Sequence, residues 1–214
     1  MPPIHIDIGF IVTILVVVLP SLTIHEFAHG WMAYKFGDDT AKNMGRLTLN
    51  PIAHIDWFGT ILLPLLIQFG YAKPVPVNFS VLTRLQILLV AVAGPISNIL
   101  LALVLAATYH LLVLLGAHVP PLVGDFLLMG VLLNFVFAVF NLIPIPPLDG
   151  SRIIYASLKS PQAIRIYSHF SQFGMFIIFG LVYLSWSGRF NVFGQIIYPV
   201  ITFVFNILHL PSIY

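Results

Sequence analysis

Polar residues are so sparse along this chain that the places where they gather define its organisation. From Ile8 to Ile24 the only polar side chains are Thr13, Ser21 and Thr23. The run continues through His25-Glu26-Phe27-Ala28-His29 and ends near Lys35, which predicts a first helix over 8–36. Pro20 is expected to kink it one turn before His25. Residues 37–56 are more polar, and Arg46-Leu47-Thr48-Leu49-Asn50 alternates at period two before Pro51, the pattern of a short strand. Trp57 to Tyr71 is apolar but broken by Gly59, Pro64 and Gly70, which suits a re-entrant or interfacial segment better than a span. Lys73-Pro74-Val75-Pro76-Val77-Asn78 admits a strand only at a sheet edge. Long apolar helices follow over 85–117 and 122–143, then a polar, basic connector over 151–167. Two further helices are expected over 169–186 and 192–209. There is no internal repeat.

Composition sharpens this into a class. The chain has 214 residues, 59% hydrophobic and 7% charged, against about 25% charged in soluble proteins. Its mean hydropathy is +1.02. The expected fold is an all-α polytopic membrane protein with five to six transmembrane helices, a re-entrant or short segment, and small membrane-associated β-strands. One domain fills 1–214, with a core over 8–150 and two C-terminal transmembrane helices within 168–210.

Charge then favours one topology. If Trp57–Tyr71 is re-entrant, Lys35, Lys42, Arg46, Lys73, Arg84, Arg152, Lys159 and Arg165 share one side and only Arg189 lies opposite. The positive-inside rule then gives an outside N-terminus and five spans plus one partial insertion, with a sixth crossing as the alternative. A net charge of +2 without a basic patch gives no nucleic-acid signal. The absence of cysteine excludes disulfides and thiolate metal sites, so any metal must be held by His and carboxylate. The first apolar run lacks a basic leader and carries ionisable residues, so it is expected to be retained rather than cleaved as a signal peptide.

The candidate chemistry sits in that first run. Glu26 is the only glutamate in the chain, and a charge at the centre of a bilayer costs about 2.5–3.5 kcal/mol on insertion scales. On a helix His25 and His29 project from one face about 6 Å apart. His-Glu-x-x-His at this spacing supplies two zinc ligands and a general base; the alternative is a hydrogen-bonded cluster without metal. His25 lies about 15 Å of helix rise from Lys35, inside the bilayer but nearer that side. Asp149 is the second anomaly, closing the proline-broken Asn141-Leu142-Ile143-Pro144-Ile145-Pro146-Pro147-Leu148-Asp149-Gly150. It reads either as turn chemistry or as the carboxylate that completes an open zinc site. Asn98 reads as a helix-packing amide, and His54 as an interfacial residue.

Taken together, His25-Glu26-x-x-His29 and Asn141-x-x-Pro144-x-Pro146-x-x-Asp149-Gly150 resemble the site-2 protease family of intramembrane zinc metalloproteases. Gly94-Pro95-x-x-Asn98 and Gly45-Arg46-Leu47-Thr48-Leu49-Asn50-Pro51 are similar to its short prokaryotic members without a PDZ domain. The resemblance implies one zinc ion held by His25, His29 and Asp149, with Glu26 activating water. It implies a role for Asn141 at the developing oxyanion, the alternative being a contact from its amide to backbone. The implied substrate is a transmembrane segment of another protein, and the implied location is multi-pass in the lipid bilayer of the prokaryotic cytoplasmic membrane. Arg46, Leu47, Thr48, Leu49 and Asn50, with Val75–Asn78, would take an unwound substrate by strand addition. A membrane metal transporter or non-proteolytic adaptor is the rival reading, since intramembrane His and Asp also mark ion pathways. The related halves expected of a transporter are not seen.

Overall fold

Helices dominate the computed structural model, which describes residues 12, 14–62, 72–116, 119–187 and 191–211. The chain divides into two compact units, Met1–Ser97 and Asn98–Tyr214. In the first, a π-helical turn at Ile14–Val18 passes into helix α1, Leu19–Lys35. Pro20 therefore does not kink an α-helix from within. It sits in the first turn of α1, where its missing N–H is tolerated, and the winding changes just before it. The hydroxyls of this apolar stretch are turned back onto the helix: Ser21 Oγ donates to the Val17 carbonyl and Thr23 Oγ1 to the Leu19 carbonyl, both at 2.7 Å. Gly37, at φ +94°, lets the chain turn after α1.

The expected strand over Arg46–Asn50 is not formed; the stretch is a series of bends. Local partners take its backbone groups instead. The N–H groups of Arg46 and Leu47 both donate to the Ala41 carbonyl, at 2.8 and 3.2 Å. Asn50 N–H donates to Thr48 Oγ1 at 3.1 Å, and Asn50 Oδ1 accepts from Ile52 N–H to cap a 3₁₀ turn at Pro51–His54. Thr and Asn side chains compete in this way with ladder formation, and Gly45 at φ +65° ends any straight approach. Residues 72–78 are likewise irregular rather than a strand. Lys73 and Val75, each preceding a proline, are biased to extended backbone. Of the apolar stretch 57–71, Trp57–Leu62 is a π-helical segment and 63–71 lies outside the described residues.

Helix α2, Arg84–Leu114, keeps Pro95 within it and contributes residues to both units. The second unit continues with α3, Pro121–Asn141. The segment expected as a connector is helical, as α4, Asp149–Ser157, and α5, Pro161–Ser171. Helices α6, Gly174–Trp186, and α7, Val192–Ile207, complete it. Its core is Ala102 and Ala106 of α2, Val131 and Phe135 of α3, and Ile201 and Phe205 of α7 with Leu210. Gly130 permits the close α2–α3 approach, since a Cβ there would lie 2.7 Å from Leu105 Cδ1.

Among the described residues, α2 and α3 are each long and apolar enough to cross a membrane. The bent pair Pro161–Ser171 and Gly174–Ser185, at 53°, makes a third if it is one span. These helices make the chain an integral membrane protein. The single helix expected over 169–186 is thus replaced by two segments meeting at the bend.

Candidate metal centre

His25 and His29 lie one turn apart on α1, and both are buried. Their rings meet edge to face, with an interplanar angle of 84° and Nε2 atoms 3.0 Å apart. His29 Nδ1 lies 2.7 Å from the Val90 carbonyl oxygen on α2. A carbonyl only accepts, so Nδ1 carries a proton and Nε2 is the atom turned toward His25. A ring held through one nitrogen by a carbonyl, with the other turned to a shared point, is the usual setting of a metal-ligating histidine.

Whether zinc fits can be judged from this spacing. Two nitrogens on a tetrahedral zinc with Zn–N of about 2.0–2.1 Å are separated by about 3.3 Å, close to the 3.0 Å seen here. The space beside the pair is kept by Gly94 on α2. A Cβ at that position would fall 2.7 Å from His25 Nε2 and collide with His29 Nε2. The paired nitrogen donors and the glycine-lined space both fit zinc.

Glu26, between the two histidines in sequence, accepts from the backbone N–H of Val75 at Oε2, 2.7 Å. The segment bearing Val75 is held in turn by Arg46, whose Nη2 donates to the carbonyls of Lys73 and Pro74 at 2.8 and 3.3 Å. Asn78 N–H donates to Asp38 Oδ2 at 2.7 Å. Burial pushes the Asp38 carboxyl up, but hydrogen bonds from the Thr40 hydroxyl and the Asn78 and Thr40 backbone N–H groups outweigh it and hold the group below its ordinary value.

The remaining sequence candidates are placed as follows. Leu47 packs beside Gly30, Leu49 is exposed, and the Thr48 carbonyl lies 2.9 Å from His54 Nε2. His54 is thereby buried and structural. In the second unit, Asp149 is buried in the first turn of α4. Gly150 is obligatory beside it, because a Cβ would collide with the Leu142 carbonyl. Asn141 Nδ2 donates to the Phe137 carbonyl at 3.0 Å, a contact to backbone of the kind set against an oxyanion role. Asn98 Nδ2 donates to Asn134 Oδ1 at 2.8 Å, as a packing amide should. The Val75 contact, the Val90 carbonyl and the fit of Gly94 against the histidines were not foreseen. Only the last had a visible signal, a glycine-proline pair inside an apolar helix.

Two imidazoles that converge one turn apart on α1, with the Glu26 carboxylate between them in sequence, are the donor set of a zinc peptidase in a membrane protein. Comparison with known proteins agrees. The model of peptidase family M50 matches residues 12–120 and 112–184. In Bacillus subtilis, the protein named "Putative zinc metalloprotease YwhC" is 42% identical over 186 residues, covering 83% of this chain and 82% of its own length. Two mycobacterial proteins of the same description, both named Rip2, are more distant. That of Mycobacterium tuberculosis is 33% identical over 81% of this chain and 67% of its own length. That of Mycolicibacterium smegmatis is 31% identical over 80% and 66%. No solved structure matches the chain significantly. The chain belongs to peptidase family M50, the site-2 protease family. It is a zinc-dependent metalloprotease.

Proposed function

We propose that this protein is an intramembrane endopeptidase that cleaves other membrane proteins within or near their transmembrane segments. The observation that carries the reading is the setting of His25, Glu26 and His29 on α1, directly after an apolar stretch whose hydroxyls are satisfied within the helix. Residues so placed meet their substrate at membrane depth. His25 and His29 would hold zinc with Asp149 as the carboxylate ligand, a two-nitrogen, one-oxygen set that leaves a position for water. Bound zinc supplies the Lewis acidity that lowers the pKa of water and polarises the scissile carbonyl. Glu26 takes the water proton at the oxygen not engaged by Val75 and delivers it to the departing amine. The Val90 carbonyl keeps the His29 proton on Nδ1. Asn141, with one N–H on Phe137, has a second N–H for the developing oxyanion.

A peptide bond in a helix is shielded, so the substrate must unwind before it is cut. Leu49 and its neighbours in Arg46–Asn50 would meet it through side chains rather than as an added strand, since the Arg46, Leu47 and Asn50 N–H groups are held locally and the Arg46 guanidinium is committed to the Lys73 and Pro74 carbonyls. In the charge-favoured topology five helices span a prokaryotic cytoplasmic membrane, and water enters from the Lys35 side. In a chain without native cysteine, single cysteines near Ala28 should label from that side; labelling only from the other side would reverse it. The reading itself is tested with purified protein in detergent, offered single-pass membrane substrates and an unfolded soluble protein. Cleavage confined to the membrane substrates is expected; cleavage of the soluble protein alone would contradict it.

A further inference from the structure

The Lys73–Asn78 segment is tied down along its length. Lys73 N–H donates to the His54 carbonyl at 2.9 Å, and the Lys73 and Pro74 carbonyls accept from Arg46. Val75 N–H meets Glu26, and Asn78 N–H meets Asp38. The Val75 side chain, 5% exposed, is seated on Gly30, where a Cβ would come within 2.9 Å of Val75 Cγ1. Gly30 lies one turn beyond Glu26, so a side chain there would lift the segment away from the carboxylate. The sequence also fixes the register. Pro74 and Pro76 have no N–H, and a slip of one residue would bring a proline nitrogen to Glu26 in place of a donor.

We propose that Lys73–Asn78 is a positioning clamp for Glu26, with Arg46 and Asp38 as the positioning residues that hold Val75 N–H against its carboxylate. This deepens the proposed function and rests on it for the role of Glu26. A glutamate side chain has several rotatable bonds, and one backbone donor on Oε2 limits where Oε1 can stand. Displacement of a reacting group by about 1 Å can cost on the order of a hundredfold in rate. The clamp therefore links two charged residues outside α1 to the proton-transfer atom.

The test uses the full chain in detergent with a membrane substrate that wild type cleaves and Glu26→Gln does not. Arg46→Met should lower kcat about tenfold or more with zinc content equal to wild type, and Arg46→Lys should recover part of the loss. Asp38→Ala should act in the same direction. An unchanged kcat, a loss confined to KM, or a loss that follows zinc overturns the clamp. Hydrogen exchange over 72–79 reads the same contact without activity. Exchange should be slow in wild type and in Glu26→Gln, whose amide oxygen still accepts, and faster in Glu26→Ala and Arg46→Met. Equal exchange in all four overturns the clamp. Failure of wild type to cleave any membrane substrate would instead count against the proposed function and leave the exchange result to decide the clamp.

Discussion

In the first unit His25 and His29 bring two Nε2 atoms to 3.0 Å, and in the second Asn98 and Asn134 meet at 2.8 Å. Both pairs are buried in apolar surroundings, yet they are built differently. The asparagines run donor to acceptor in series: Asn98 Nδ2 to Asn134 Oδ1, then Asn134 Nδ2 to the Gly130 carbonyl. In the histidine pair the His29 Nδ1 proton is turned to the Val90 carbonyl, and like atoms face each other at 3.0 Å beside a space kept by Gly94. Burial and polarity are common to both pairs, so neither marks a site. The mark is whether the groups complete one another or converge as ligands.

Breaking the convergent pair should have the largest effect. His25→Ala and His29→Ala are each expected to lose zinc and to reduce cleavage to background, as measured by metal analysis of purified protein. Filling the space without touching the ligands comes next. Gly94→Ala places a methyl against both rings and should weaken zinc binding by on the order of 10–100-fold, the range seen when a ligand's setting is disturbed. Competition with a chelator checks it.

The self-completing pair should answer in stability rather than chemistry. Asn98→Ala removes the Nδ2 donor to Asn134 Oδ1 and should cost about 1–2 kcal/mol, seen as a lower apparent unfolding midpoint in detergent with zinc retained. Replacing both asparagines with leucine should recover part of that loss.

The smallest effect concerns Asp38. Its folded-state pKa is depressed, so its contribution is present above the ordinary carboxylate value of 3.8 and is lost as pH falls through the lower, folded value. Exchange at Asn78 should accelerate only in strongly acid solution, and Asp38→Ala should remove that dependence.

The helical membrane character and the metal motif were legible in the sequence because both rest on strong signals. Long apolar runs are hard to mistake, and the spacing of His25 and His29 imposes a common face on any helix. What was not legible depended on partners distant in sequence or on local competition. The alternation over Arg46–Asn50 looked like a strand, but Thr48 and Asn50 supplied side-chain partners that bent it. Residues 151–167 looked like a connector because their mean polarity is high, although amphipathic helices share that average. The Pro-Val-Pro run read as an edge strand; its use as a donor to Glu26 required knowing what lay beside it, 49 residues back along the chain.

The most direct test of the central claim is a comparison of wild type with Glu26→Gln, measuring bound zinc and cleavage of a single-pass membrane substrate on the same purified samples. The account predicts equal zinc in the two proteins and a loss of cleavage of about 10²–10⁴-fold in the variant. Cleavage at the wild-type rate by a zinc-loaded Glu26→Gln protein would contradict it.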